Sequence, residues 1–436
     1  MLAAKAQYSL ADAKRYFREH LSVGDYYSEG QHVSGHWFGK SAAELGLSGV
    51  TGVDEFVRLC ENRHPQTGEQ LTLRQNTTPM GTDASGEEHQ AANRRVFYDF
   101  TFSPPKSVSI AALAGDDTRI AQAHDRAIVE ALKQLESFAA TRVRKNGQCA
   151  DRATGNIVAA VFRHDTSRAL DPHLHSHCIL FNATYDAVEK QWKALQNHDM
   201  LVAQKFVENV YYQELTRELV KFGYQIENKP RGDFEIKSVS LELIEKFSKR
   251  HRQIDEKTRE LLAREPEKAQ GNVAAIRENI AHKERPPKVR DMALSQLQTM
   301  WDGQMTTAER RSLRNLAVAE KQMVHASATV AEKAVAWAEE HVFERRSVLQ
   351  EHELWRHALE HARGENIQLA DIQAVTRQRD YIRDGGKVTS REHLEREWEI
   401  VARPKMAVVV AMRSLLIAGP AIASWMMNNA MRSTGS

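Results

Sequence analysis

The stretch His164-Asp165-Thr166-Ser167-Arg168-Ala169-Leu170-Asp171-Pro172-His173-Leu174-His175-Ser176-His177 decides how this chain folds. Ahead of it, Asn156–Arg163 carries Ile157, Val158, Val161 and Phe162 and reads as a strand; Leu174–Ala183 reads as the next. Asp171-Pro172 turns the chain between them, so the two strands lie side by side and antiparallel. Side chains alternate across a strand, which sends His173, His175 and His177 to one face and Leu174, Ser176 and Cys178 to the other. Antiparallel pairing then brings His164 to the same place. Three neutral imidazoles with open positions suit a catalytic metal site better than a closed structural one. All-nitrogen ligation suits Zn, Mn, Co, Ni or Cu better than Mg. A surface histidine cluster and a structural zinc site are the competing readings. Four histidines within fourteen residues, framed by two strands, favour the catalytic metal.

Working outward, Phe97-Tyr98-Asp99-Phe100-Thr101-Phe102 alternates and stops at Ser103-Pro104-Pro105, a strand followed by a turn. Asp99 shares a face with Phe97 and Thr101. Aspartate is disfavoured in strands, which suggests a purpose beyond bonding a turn. Apolar residues at helical spacing predict a long helix over Thr118–Arg144. Strands interleaved with few helices give an α+β class with an antiparallel sheet. Residues 205–265 read as helical, broken by a hairpin whose turn is Asn228-Lys229-Pro230-Arg231-Gly232-Asp233. From about 240 onward charged amphipathic helices dominate. Pro286-Pro287 is a candidate joint, and 312–400 reads as a second, helical module.

A metal site alone does not name a reaction. Near the N-terminus stand Tyr16-Phe17 and Tyr26-Tyr27. A phenol, with a pKa of about 10, is a poor nucleophile at neutral pH without a base or a metal. Asp99 is the candidate base.

The bulk properties bound these readings. With 436 residues the chain favours two or three domains, and 42% apolar residues suffice for a real core. The net charge of +2 means that any nucleic-acid partner must be recognised locally. Three cysteines without a CxxC pair fit a reducing compartment, and no secretory leader is legible. A cytoplasmic setting follows. Met406–Met427 is almost wholly apolar, interrupted by Arg413 and Pro420, and reads either as a buried or orphaned helix or as a membrane anchor.

Five blocks, in order, resemble the MobF-type conjugative relaxases, the TraI/TrwC-like members of the HUH (histidine–hydrophobic–histidine) endonuclease superfamily. They are Tyr16-Phe17…Tyr26-Tyr27; Trp37–Gly49; Tyr98–Ser109; His164–Arg168 with His175-Ser176-His177; and Phe206–Tyr211. The resemblance covers roughly 1–305 and implies a palm-type antiparallel sheet flanked by helices. It also implies a bacterial DNA strand transferase acting at an origin of transfer through a 5′-phosphotyrosyl intermediate. Tyr16 matches the leading nucleophile, Tyr26 and Tyr27 the second tyrosine pair, and Asp99 the carboxylate that orients a ligand histidine or takes the tyrosine proton. His164, His175 and His177 match the ligands of a divalent ion, Mg, Mn or Zn. Lys106, Arg168, His173, Lys229 and Arg231 are candidate contacts for single-stranded and hairpin DNA, His173 being either that or a fourth contact to the ion, and the run Lys249–Arg252 is either a further contact or a solvated helix face. Many members carry a tyrosine at the position of Phe17. That departure leaves the division of labour between Tyr16 and Tyr26 open.

The implied partners are origin DNA, relaxosome accessory proteins, a coupling protein and a separate helicase. Gly35–Ser41 is the nearest approach to a phosphate-binding loop, but it is one residue short between its glycines and is rejected as a motor motif. Residues 1–305 are therefore expected to form the nicking domain, and 306–400 a helical region resembling the lead-in to a relaxase-associated helicase. Residues 401–436 form an apolar tail and a candidate membrane contact. Two rival functions stand beside this one: a relaxase-like protein that binds origin DNA without cutting it, and a metal-dependent hydrolase of another class.

Overall fold

The computed structural model describes residues 1–17, 35–73, 80–82, 88–90, 95–145, 147–230, 232–266, 272–283, 292–316 and 327–402. The chain divides into two compact units, 1–202 with 221–320, and 203–220 with 321–436.

The first unit is built on a five-stranded sheet. Its strands are β1 (Leu2–Gln7), β2 (His36–Phe38), β3 (Phe97–Phe102), β4 (Ala159–Thr166) and β5 (Pro172–Phe181). Their spatial order is β1-β3-β5-β4-β2, with every neighbouring pair antiparallel. β4 and β5 form the expected hairpin. His164 stands opposite His175, Phe162 opposite His177, and on the other side of β5 Thr101 stands opposite His177. The strand bounds lie two to three residues from those expected, because a register shift between His164 and Thr166 lets β4 run on to pair Thr166 with Pro172.

Burial alternates as the residue types demand. On β5, Leu174, Ser176 and Cys178 are buried, while His173, His175 and His177 are half-buried. The buried side faces two helices, α2 (Lys106–Leu113) and α3 (Thr118–Ser137). His124 of α3 meets Ser176 there, Nε2 to Oγ, at 2.9 Å, and Arg163 of β4 pairs with Asp125 at 2.5 Å. The opposite side carries an aromatic cluster of Phe17, Phe56, Phe97, Phe162 and Phe181, on which α1 (Leu10–Tyr16) rests. Phe17 stacks on Phe56 with ring centres 4.1 Å apart.

One expectation about this unit is corrected. The helix predicted over Thr118–Arg144 ends at Ser137, and Ala140–Lys145 is a strand paired with Gln148–Ala153. Thr141 and Val143 are β-branched and alternate, and Gly147 supplies the positive φ of +77° that the hairpin turn needs.

In the second unit, helices Gln204–Lys221, Ser327–Phe343, Glu351–His361, Leu369–Gln378 and Arg391–Ala402 are joined by a small sheet that the helical reading did not anticipate. Tyr381–Asp384 and Lys387–Ser390 pair around Gly385-Gly386, both at positive φ, and Leu349–Gln350 completes the sheet. The predicted hairpin in the first unit is present, with Ile226–Asn228 paired to Phe234–Ile236.

Among the described residues no helix is long and apolar enough to cross a membrane. The apolar stretch 406–427 and Pro286-Pro287 lie outside them.

Candidate active site

The site grows from the half-buried face of β3, β4 and β5. Asp99 and Thr101 on β3 flank His177 on β5, and α1 brings Tyr16 above them. Tyr16 donates its hydroxyl to Asp99 Oδ2 at 2.7 Å, and its oxygen lies 3.2 Å from His177 Nδ1. His177 Nδ1 lies 2.9 Å from Asp99 Oδ2 and 3.1 Å from Oδ1. Thr101 donates its hydroxyl to Asp99 Oδ1 at 3.1 Å. Burial alone would raise the Asp99 pKa. The positive potential and hydrogen bond of His177, with the Tyr16 and Thr101 hydroxyls, outweigh it and hold the carboxyl below its ordinary value. The carboxylate is thus charged, bonded on both oxygens, and accepts the Tyr16 hydroxyl, the one phenol among the described residues that is seen to touch it.

The three predicted metal ligands come together. Ring centres are 5.3 Å apart for His164–His175 and His164–His177, and 5.2 Å for His175–His177. Zn–N bonds of about 2.0–2.1 Å would place each ring centre about 3.2 Å from a shared ion, and tetrahedral angles would then separate the centres by about 5.2 Å. No set of three or more His, Cys, Asp or Glu side chains among the described residues is already closed around one point. The fit therefore rests on ring spacing and on the direction of the Nδ1 atoms. Those atoms are engaged as metal-ligating histidines engage them: His177 Nδ1 on a carboxylate, and His175 Nδ1 at 2.9 Å from the His173 carbonyl. Nε2 of both rings would then be the atom that faces an ion. By ring spacing and Nδ1 bonding, the donor set is compatible with a divalent ion.

The remaining predicted residues are scattered. His173 stacks on His175 with ring centres 4.6 Å apart, and burial, reinforced by neighbouring cationic groups, pushes its pKa well below that of a free imidazole. Arg168 is half-buried in the turn between β4 and β5. Lys106 does not point into solvent: its ammonium donates to the Pro172 carbonyl at 2.6 Å, and burial lowers its pKa to about 8. Lys229 pairs with Glu227 at 2.8 Å at the end of the 226–236 hairpin, away from the histidine sheet in sequence and in strand pairing. Tyr26, Tyr27 and Arg231 lie outside the described residues. Thr101 was not singled out from the sequence. The signal was available, since it sits two residues from Asp99 on the same strand face.

Gly35–Ser41 has a structural task. Gly39, at φ +111°, starts the helix Lys40–Glu44, and the Lys40 backbone N–H donates to Glu136 at 2.7 Å. A side chain, not a phosphate, satisfies that helix end.

An antiparallel sheet presenting a histidine triad beside a tyrosine–aspartate pair defines a MobF-type conjugative relaxase of the HUH superfamily. A family model of the TrwC relaxase matches residues 10–308, and the chain belongs to that family. The multifunctional conjugation protein TraI of Escherichia coli K12 is 38% identical over 222 residues, which is 47% of this chain. The chain spans only 12% of that relative's length. Two solved structures are similar over 74% of this chain and 100% of theirs. One is the conjugative relaxase TrwC in complex with origin-of-transfer DNA, copper-bound (TM-score 0.58, 30% identity). The other is TrwC with a 27-mer DNA comprising the recognition hairpin and the cleavage site (TM-score 0.55, 28% identity).

Proposed function

We propose that this chain nicks and rejoins one DNA strand at an origin of transfer, with Tyr16 as the nucleophile. The observation that carries the reading is the Tyr16 hydroxyl, 2.7 Å from the Asp99 carboxylate on the sheet face that also presents His164, His175 and His177. The choice of substrate is supported by the TrwC structures, which hold origin-of-transfer DNA.

The chain's own groups account for the chemistry. The Tyr16 oxygen attacks the scissile phosphorus in line; a phosphorus–O(Tyr) bond forms and the phosphorus–O3′ bond breaks. The phenolic proton passes to Asp99, which already accepts it in a hydrogen bond, and the departing 3′ oxygen takes up a proton to become a free hydroxyl. The product is a 5′-phosphotyrosyl link. It retains the phosphodiester energy, so attack by a 3′-hydroxyl reseals a strand without a nucleotide cofactor. His164, His175 and His177 would hold Mg, Mn or Zn, and the bound ion would supply charge stabilisation on the non-bridging phosphate oxygens. Asp99 and Thr101 fix the His177 ring. His173, stacked on His175, and Arg168, in the turn between β4 and β5, are candidate DNA contacts. Accessory proteins, a coupling protein and a helicase activity are the partners this function calls for.

Incubating the full chain with a single-stranded origin oligonucleotide and Mn²⁺ tests the reading. A denaturing gel should resolve a covalent protein–DNA adduct that Tyr16→Phe does not form. DNA that is bound but never cut would favour the non-cutting alternative. Cleavage to a free 5′-phosphate that survives Tyr16→Phe would favour a hydrolase.

A further inference from the structure

β3 runs beside β5 only until Phe102 faces Ser176. Ser103-Pro104-Pro105 then ends it, because proline has no N–H to give to a ladder. β5 itself begins at Pro172, so its first residues extend past the end of β3. Two side chains of α2 occupy that edge. Lys106 donates to the Pro172 carbonyl at 2.6 Å, and the Leu174 backbone N–H donates to Ser109 Oγ at 3.2 Å. They bracket His173 and stand immediately before His175. The turn that precedes them is held as well. Trp301 donates its indole N–H to the Leu170 carbonyl at 2.7 Å, and the Lys249 backbone N–H donates to Asp171 at 2.8 Å. Leu170 keeps a left-handed φ of +58° there, a conformation unfavourable for a non-glycine residue that persists only where its surroundings enforce it.

We infer that Lys106 and Ser109 are positioning residues: they replace the missing strand along the start of β5, fix where His175 stands, and so set the affinity of the histidine triad for its ion. Lys106 is then not a phosphate contact, although a lysine after Pro-Pro beside a DNA site invites that assignment. Its ammonium is committed to a backbone carbonyl, with Asp171 and Glu235 as its acidic neighbours. The inference rests on reading His164, His175 and His177 as metal ligands.

The test is titration of Mn²⁺ into the DNA-free full chain by calorimetry, for wild type, Lys106→Met, Ser109→Ala and His175→Ala. Oligonucleotide binding is measured in parallel as a function of salt. Loss of groups that orient metal ligands weakens metal binding by about 10- to 100-fold. Both α2 variants should weaken Mn²⁺ by about tenfold, with the salt slope unchanged and adduct formation restored by excess Mn²⁺. Ser109→Ala removes only a hydroxyl and carries the test should Lys106→Met fail to fold. Mn²⁺ affinity within about twofold of wild type in Ser109→Ala and in any folded Lys106→Met overturns the inference. So does a Lys106→Met salt slope reduced by about one, the mark of a lost phosphate contact. Mn²⁺ binding undiminished in His175→Ala would remove the metal reading itself, an outcome distinct from either of these.

Discussion

Tyr16 and Phe17 are neighbours in sequence with opposite roles. Tyr16 turns its hydroxyl to Asp99, whereas Phe17 is 2% exposed and stacks on Phe56 beneath α1. Phe17 is therefore the anchor of the helix that carries the candidate nucleophile. Phe17→Ala should cost about 3–5 kcal/mol of stability in chemical denaturation, as truncation of a buried aromatic does. Phe17→Tyr would bury a hydroxyl in an aromatic cluster and should cost about 1–3 kcal/mol where no partner reaches it. A Phe17→Tyr variant as stable as wild type would contradict this packing. Asp99→Asn should leave the fold intact and slow single-turnover adduct formation by about 10²–10⁴-fold, the usual contribution of a general base; an unchanged rate would remove Asp99 from proton transfer. Asp99 was legible because aspartate sits badly in an alternating strand. Thr101 was not, since threonine is ordinary there, and only the fold places its hydroxyl on the carboxylate. Lys106 was legible as a basic residue near the site, but its commitment to a backbone carbonyl depends on how α2 meets β5.

At the scale of elements, the β4–β5 hairpin was readable because Asp171-Pro172 and period-two histidines fix both the turn and the face. The strand at 140–145 was hidden by a helical apolar pattern that runs unbroken to Phe138. The small sheet of the second unit was hidden because its strands are short and polar, and only Gly385-Gly386 marked the turn. Gly39 joins β2 to the helix after it at φ +111°, and a Cβ there would stand 2.1 Å from the Ile157 carbonyl oxygen. Gly39→Ala should therefore destabilise by more than the about 1–3 kcal/mol that such a backbone conformation alone costs, since the junction must also move away from the Ile157 backbone. Thermal unfolding checks this, and a melting temperature equal to wild type would mean that the junction can relax.

At the scale of the molecule, the two units carry different chemistry. The second unit holds His357, whose pKa burial lowers to about 4, helped by Arg356 and His341. Its folded pKa lies below the unfolded value of about 6.5, so its contribution to stability is complete above that pH and is lost as pH falls toward 4. Urea unfolding at a series of pH values should show wild type losing stability across that window and His357→Gln losing less; equal slopes would contradict the assignment. The first unit holds the tyrosine, the carboxylate and the triad on one sheet face, and its near-neutral chain leaves the DNA to be recognised locally rather than by bulk attraction. The most direct measurement of that account is mass spectrometry of peptides from a chain trapped on a short origin oligonucleotide with Mn²⁺. The nucleotide should be found on the peptide containing Tyr16. A nucleotide found only on Tyr26 or Tyr27, or on no tyrosine at all while the strand is cut, would contradict it.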